Sequence, residues 1–340
     1  MVRVFLVDDS SFIRKALTRL LSSQPGIRIV GEAASGREAL ERIPVVNPDL
    51  VTLDVAMPGL DGLDTLRALL AWRPSLPVIM LSAHTREGAE ATLDALAIGA
   101  VDFLDKTGFG LMDLDGLARE LVDRIMVWEP GRPVGRPAPA TSAPRTGPGR
   151  RLDTSHCELC VIGASTGGPA AIQAILERLP ADFPIPLALV QHMPVGFTRP
   201  FAKRLDTVCR LRVVEAADGE VLAPGKAVIA AAGQHLRLSR KLTARLSTEP
   251  PSRHVPSVDV LMKSANDVRP GRVLGVLLTG MGEDGADGMS LIRAQGGVTL
   301  AESEASCAVF GMPRAAQLRG GVDLMLALPE IVEFLAGLRC

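Results

Sequence analysis

Along the first 128 residues, short continuous apolar runs alternate with stretches whose apolar positions recur every three or four residues. Brief runs rich in Val, Ile and Leu read as strands, and the 3.6-residue period reads as amphipathic helix. Strands are therefore expected at Val2–Val7, Ile27–Ala33, Leu50–Asp54, Val78–Ser82 and Val101–Lys106. Helices are expected at Ser11–Ser23, Gly36–Ile43, Leu63–Trp72, Gly88–Ile98 and about Asp115–Trp128. Five β-α units of this length imply a parallel sheet with right-handed crossovers and helices on both faces. The pattern stops over residues 129–156, where Pro, Gly and Arg dominate and no apolar period survives, the composition of an extended linker. It resumes at Cys157. Cys160–Gly163, Pro186–Gln191, Lys226–Ala230 and Arg272–Thr279 read as strands, with helices near Gly168–Leu179 and Asp287–Gln295. The expected architecture is α/β throughout. Residues 1–128 form a doubly wound (βα)5 domain with a parallel sheet, 129–156 a flexible linker, and 157–340 a second α/β domain with a mainly parallel sheet.

Charge sharpens this division. The chain as a whole carries −1, which names no nucleic-acid or membrane partner. Residues 1–128 hold 13 Lys and Arg against 18 Asp and Glu, whereas residues 157–340 hold 19 against 18. The first domain is thus the acidic one, as a site built from carboxylates requires. The apolar run at the N-terminus is too short for a signal peptide, and no later run approaches the ~20 residues that span a bilayer. A cytoplasmic protein with reduced cysteines is expected. Cys157 and Cys160 have C-x-x-C spacing, but no second pair follows at a zinc-site distance and Cys160 opens an apolar run. Buried thiols are the expectation.

Asp8 and Asp9 follow the first strand, and Asp54 ends the third. In a sheet ordered 2-1-3-4-5, strands one and three are neighbours, so the three carboxylates converge. Like charges at one spot repel unless a cation sits among them. Magnesium, a hard ion that takes oxygen ligands and leaves positions open for phosphate, suits Asp8, Asp9 and Asp54. A carboxylate can also accept a phosphoryl group. Ser82 ends the fourth strand as a donor to a phosphoryl oxygen, and Lys106 ends the fifth as a neutralising charge. Any one of these acids read alone is a helix cap; five polar residues at the ends of four strands exceed what capping explains.

At these residues the chain resembles the response-regulator receiver family. The matching text is Val7-Asp8-Asp9-Ser10, Leu53-Asp54 through Asp61-Gly62, and Val101-Asp102-Phe103-Leu104-Asp105-Lys106. The resemblance implies that Asp54 takes phosphate from a sensor histidine kinase and that Phe103 occupies the switching aromatic position. Thr107 departs from the proline usual after the lysine.

In the second domain, Val161-Ile162-Gly163-Ala164-Ser165-Thr166-Gly167-Gly168-Pro169 fits G-x-S-x-G, a turn that lifts a serine hydroxyl clear of a strand end. A glycine-rich phosphate cradle is the rival, but the lysine of a P-loop and the G-x-G-x-x-G of a dinucleotide fold are missing. A serine nucleophile needs a base. His192, His235 and His254 are the candidates in this domain, and position at a strand's carboxyl end favours His192. An acid must orient that imidazole. Asp284, in a loop of glycines after a strand, fits, with Glu283 and Asp287 in competition.

Residues 160–340 resemble the catalytic domain of the chemotaxis protein-glutamate methylesterases, the CheB family. Further matching stretches are Asp218–Gly225, Pro256–Leu261, Leu277–Gly282 and Val309–Pro313, while Val255 and Ala232 depart from the usual arginine and proline. The resemblance implies Ser165 as nucleophile, His192 as general base and Asp284 as its orienting acid, with no cofactor for the esterase. Backbone N–H groups at Thr166 and Met281 are expected to hold the oxyanion. The activity implied is phosphorylation-activated hydrolysis of glutamate methyl esters on methyl-accepting chemoreceptors, with glutamine deamidation as a second activity that family members carry. The protein would meet membrane receptors without entering the membrane, and no nucleic-acid partner is expected. A response regulator with a DNA-binding output is the rival class; it predicts a compact basic helical module rather than a neutral α/β domain of this length.

Overall fold

The structure, a computed structural model, describes residues 1–82, 85–106, 114–128 and 152–338. Thr107 and most of the expected 129–156 linker lie outside the described residues. The chain divides near residue 136 into two compact units.

The first unit alternates β1 (Val2–Val7), α1 (Ser11–Ser22), β2 (Ile27–Ala33), α2 (Gly36–Val46), β3 (Leu50–Asp54), α3 (Gly62–Trp72), β4 (Val78–Ser82), α4 (Arg86–Ile98), β5 (Asp102–Asp105) and α5 (Leu114–Met126). The sheet order is β2-β1-β3-β4-β5, and every pairing is parallel. The polar residues after the strands start the helices: Ser10, Ser35 and Asp61 accept N–H bonds from Ile13, Glu38 and Asp64. Helix α2 runs past the expected end at Ile43. Pro44 removes one donor in the last turn, and Asn47, at φ 48°, closes the helix by donating its N–H to the Ile43 carbonyl at 2.8 Å.

The second unit contains β6 (Leu159–Ala164), α6 (Gly168–Arg178), β7 (Leu187–Gln191), α7 (Thr198–Val208), β8 (Arg212–Glu215), β9 (Lys226–Ile229), β10 (His235–Leu238), β11 (Ala244–Ser247), α8 (Val258–Val268), β12 (Val273–Leu277), α9 (Ala286–Ala294), β13 (Val298–Glu302), α10 (Met312–Leu318), β14 (Leu324–Leu326) and α11 (Leu328–Ala336). Seven of these strands form one sheet, ordered β14-β13-β12-β6-β7-β9-β8 and parallel at every pairing. An antiparallel ribbon, β10-β11, stands apart from it. The core is made by β6, β7, β9 and β12 packed against α8 and α9, with Val161, Ala188, Val228, Leu261, Met262 and Met289 fully buried. Each of the Val, Leu and Met side chains among these contributes about 1.5–3 kcal/mol on leaving water.

The topology fixes where chemistry can sit. From β6 the chain builds β7, β9 and β8 on one side, then returns to build β12, β13 and β14 on the other. The crevice over the carboxyl end of β6, between β7 and β12, is therefore a switch point of the kind where open parallel sheets bind ligands. The first unit has its own switch point between β1 and β3.

Candidate functional sites

At the first switch point Asp8 follows β1 and Asp54 ends β3, and both are buried while Asp9 is exposed. Oxygens of Asp8, Asp9 and Asp54 lie within 4.8 Å of one another. Lys106 Nζ bridges Asp8 Oδ2 at 3.0 Å and Asp54 Oδ2 at 2.8 Å. Burial pushes the Asp54 carboxyl up to about 6; Lys106 opposes this and Asp8 adds to it. Three carboxylates facing one ammonium leave uncompensated negative charge in a partly dry site. The oxygen-only donor set thus fits a hard divalent cation such as Mg2+. Ser82, fully buried, places its hydroxyl 2.7 Å from that of Thr92 and 3.2 Å from the Gly88 carbonyl, so it faces the start of α4. Phe103 is buried within β5.

At the second switch point the register of β6 and β7 pairs Ala164 with Gln191, so Ser165 and His192 are the next residues on adjacent strands. The Ser165 turn is held from three sides. Its N–H donates to the Thr279 carbonyl at 3.0 Å, and its carbonyl accepts from Gly168 N–H at 2.8 Å and from Gln191 Nε2 at 2.9 Å. Gly167 sits at φ 79°, a conformation that side-chain-bearing residues rarely adopt, and α6 starts immediately after it. Thr279 also donates its hydroxyl to the Thr166 carbonyl at 2.9 Å. Among the described residues the Met281 N–H and the Ser165 hydroxyl make no hydrogen bond.

His192 Nε2 lies 2.8 Å from Asp284 Oδ2, and both side chains are about nine-tenths buried. The carboxylate also accepts from Ser257 Oγ at 2.8 Å, Val258 N–H at 2.7 Å and Asp259 N–H at 2.9 Å. Asp284 thus caps the N-terminus of α8, where the helix dipole favours negative charge. Burial works to raise its carboxyl, but the His192 bond and charge and the two backbone donors outweigh it and hold the group at about 2. A carboxylate acceptor on Nε2 fixes the proton there, which leaves Nδ1 as the basic nitrogen. That atom is buried and has no partner among the described residues.

The competing residues are placed otherwise. His235 is wholly buried, accepting from Ser257 N–H at Nδ1 (3.0 Å) and contacting the Pro250 carbonyl through Nε2 (2.9 Å). Glu283 pairs with Arg319 at 2.8 Å, and Asp287 with Arg319 at 3.4 Å and Lys263 at 3.8 Å. His254 stacks on His192 with ring centroids 4.4 Å apart. Burial, reinforced by His192, drives its imidazole down to about 4. A neutral ring therefore covers one face of the His192 imidazole. Cys157 and Cys160 are buried thiols, and burial pushes Cys160 well above the ordinary range. Neither belongs to a metal-ligating cluster among the described residues.

Ser257 and Gln191 have no role in the sequence reading, and His254, one of its candidate bases, stacks on His192. Ser257 precedes an apolar helical period and so carries an N-cap signature. Nothing local announces that a loop 27 residues further on shares that cap.

Residues 160–335 match the CheB methylesterase family and residues 4–114 the response regulator receiver domain. A protein-glutamate methylesterase/protein-glutamine glutaminase of Carboxydothermus hydrogenoformans is 45% identical, with 98% of each chain covered. One from Oleidesulfovibrio alaskensis is 41% identical over the same shares. The crystal structure of the Thermotoga maritima CheB methylesterase catalytic domain, 38% identical, superposes with a TM-score of 0.51, covering 53% of this chain and 97% of that one. Among the described residues no helix is long and apolar enough to cross a membrane.

Proposed function

Because the chain belongs to the CheB methylesterase family and carries a response regulator receiver domain, we propose that it hydrolyses glutamate methyl esters on chemoreceptors under the control of phosphorylation at Asp54. The observation that carries this reading is the His192–Asp284 pair, joined at Nε2 with Nδ1 buried and unpaired among the described residues, at the strand end next to Ser165. In the first step Ser165 Oγ attacks the ester carbonyl carbon while His192 Nδ1 takes the hydroxyl proton. The C–O bond to methoxide breaks, the proton passes from His192 to the leaving oxygen, and methanol departs. Water, deprotonated by the same nitrogen, then attacks the acyl-serine carbonyl and releases glutamate and free Ser165. Asp284 holds the imidazole in the Nε2–H tautomer and stabilises it when charged, as in other triads. General acid–base help of this kind contributes roughly 10²–10⁴ to the rate. The unpaired Met281 N–H supports it as one oxyanion donor; Thr166 N–H is the proposed second.

With ammonia as the leaving group the same steps deamidate glutamine, the second activity in the names of both relatives. In the receiver, Asp8, Asp9 and Asp54 would hold Mg2+, which when bound neutralises phosphoryl charge. Lys106 supplies a positive charge beside Asp54, with Ser82 as donor to a phosphoryl oxygen and Phe103 as the switching aromatic. The partners are a sensor histidine kinase and methylated receptors, both met in the cytoplasm. A DNA-binding output receives no support from any comparison. The test is methanol release from methylated receptor membranes, with and without a phosphodonor. Release that depends on Ser165 and rises with the phosphodonor is expected; no release under either condition would refute the assignment.

A further inference from the structure

Parallel pairing of β6 with β7 ends at Ala164 and Gln191, followed by one last bond from His192 N–H to the Ala164 carbonyl at 3.1 Å. The two residues that carry the proposed chemistry therefore lie just beyond the regular sheet. What joins their backbones is one side chain. Gln191 Nε2 donates to the Ser165 carbonyl at 2.9 Å and to the His192 carbonyl at 3.1 Å. An amide nitrogen has two N–H groups, and here each is spent on one of these carbonyls. The orientation is unambiguous, because a flipped amide would turn its oxygen against two carbonyl oxygens.

The other end of the amide is informative in a different way. Gln191 is 2% exposed, and its Oε1 is buried with no hydrogen-bond partner. A buried acceptor left unpaired costs about 1–3 kcal/mol, so a glutamine kept only to fill space is a poor solution there. Oε1 also packs against Gly168, where an added Cβ would collide both with it and with Ala164 Cβ. The second glycine after the serine turn is thus the room in which this amide sits.

We propose that Gln191 is a positioning residue for the hydrolysis: its amide ties the Ser165 and His192 carbonyls together and holds nucleophile and base in register past the end of the sheet. The inference rests on the serine–histidine reading above. It assigns Gln191 no contact with substrate. It predicts that loss of the amide N–H groups lets two strand ends move relative to one another, and misplacement by about 1 Å can cost on the order of a hundredfold in rate.

The experiment uses the full-length chain, phosphodonor and methylated receptor membranes, with kcat, KM and thermal midpoint measured for each variant. Gln191→Leu keeps the side-chain volume without the donors. It is expected to lower kcat by about tenfold to a hundredfold, with KM within about twofold and the midpoint little changed. Gly168→Ala, which drives a methyl into Oε1 and also into Ala164 Cβ, should lower kcat at least as far. Gln191→Ser removes the amide altogether and should lower kcat at least as far, because the Ser165 and His192 carbonyls lose both donors. A kcat for Gln191→Leu within about twofold of wild type would overturn the proposal. So would a loss matched by a fall in folded fraction, or an unchanged kcat in Gln191→Ser. Should neither Gln191 variant fold, Gly168→Ala decides alone, and an unchanged kcat overturns the proposal. Ser165→Ala is run in parallel; turnover in that variant would refute the serine mechanism itself, and its absence alongside a normal Gln191→Leu would refute only the positioning role.

Discussion

Replacing Asp284 with asparagine keeps the shape of the side chain and removes its charge. The carboxylate accepts four bonds, with His192 and Val258 on Oδ2 and Ser257 and Asp259 on Oδ1. An amide can accept at only one of these ends. If its NH2 faces His192, Nε2 must become the acceptor and the proton moves to Nδ1, the nitrogen proposed as the base. If the NH2 faces Ser257, that hydroxyl can turn to accept, the tautomer survives, and Asp259 N–H loses its partner. The first arrangement disables the base, for which triads lose about 10⁴ in kcat. The second removes the charge that stabilises the imidazolium, and a fall of about 10²–10³ is expected from the loss of one preorganised electrostatic partner.

The stability effect can be worked from the same site. A carboxyl lowered from 3.8 to about 2 stabilises the folded chain by about 2 kcal/mol, and this nearly dry group needs little discount for solvent screening. Because the folded value lies below the unfolded one, this stabilisation is complete above about pH 4 and fades as pH falls from there through 2. Asp284→Asn should therefore lower unfolding free energy by about 2 kcal/mol at pH 7, with the difference from wild type shrinking in strong acid. Methanol release gives kcat, and denaturant melts at pH 7 and pH 3 give the second quantity. A variant with kcat within about tenfold of wild type, or one equally destabilised at both pH values, would refute the reasoning.

Other outcomes follow from the same geometry. Ser165→Ala should abolish methanol release while leaving the thermal midpoint near wild type; turnover near normal would end the serine mechanism. Asp54→Asn should take up no phosphate from a small-molecule phosphodonor and should lose the phosphodonor's stimulation of methanol release, and stimulation that persists would move control elsewhere. His254 should titrate near pH 4 by NMR. Its folded value lies below the unfolded 6.5, so its effect is to destabilise the fold as pH falls from about 6.5 toward 4. A midpoint at or above 6 would contradict the buried stack. Cys160 should resist thiol reagents in the native chain and react on unfolding; rapid native labelling would contradict its burial.

Much of the architecture was legible along the chain because parallel strands buried on both faces leave continuous apolar runs. β1, β2, β3 and β4 have the ends that the runs predict. Elements such as β14, which is only partly buried at a sheet edge, and the four-residue strands of the β10-β11 ribbon leave no comparable run. Helix α8 is harder to read along the chain, because its apolar period starts directly after a proline-containing loop and Ser257 alone marks the start.

The sequence by itself determined which residue types could do the chemistry and that each stands at a strand's end: Asp8, Asp54 and Lys106 in one domain, Ser165 and His192 in the other. It left open which of three histidines meets the serine and which of three neighbouring acids orients it. Only the tertiary structure pairs His192 with Asp284; among the described residues it shows no hydrogen bond from Ser165 Oγ to any histidine. His192 and Asp284 are 92 residues apart, and they meet because β7 and β12 flank β6 on opposite sides. Asp284 rather than Glu283 or Asp287 turns inward because the N–H groups at the start of α8 converge on its carboxylate, whereas arginine and lysine hold the other two at the surface. Local spacing carries no record of which distant backbone donors will surround a given acid, and those donors are what select it.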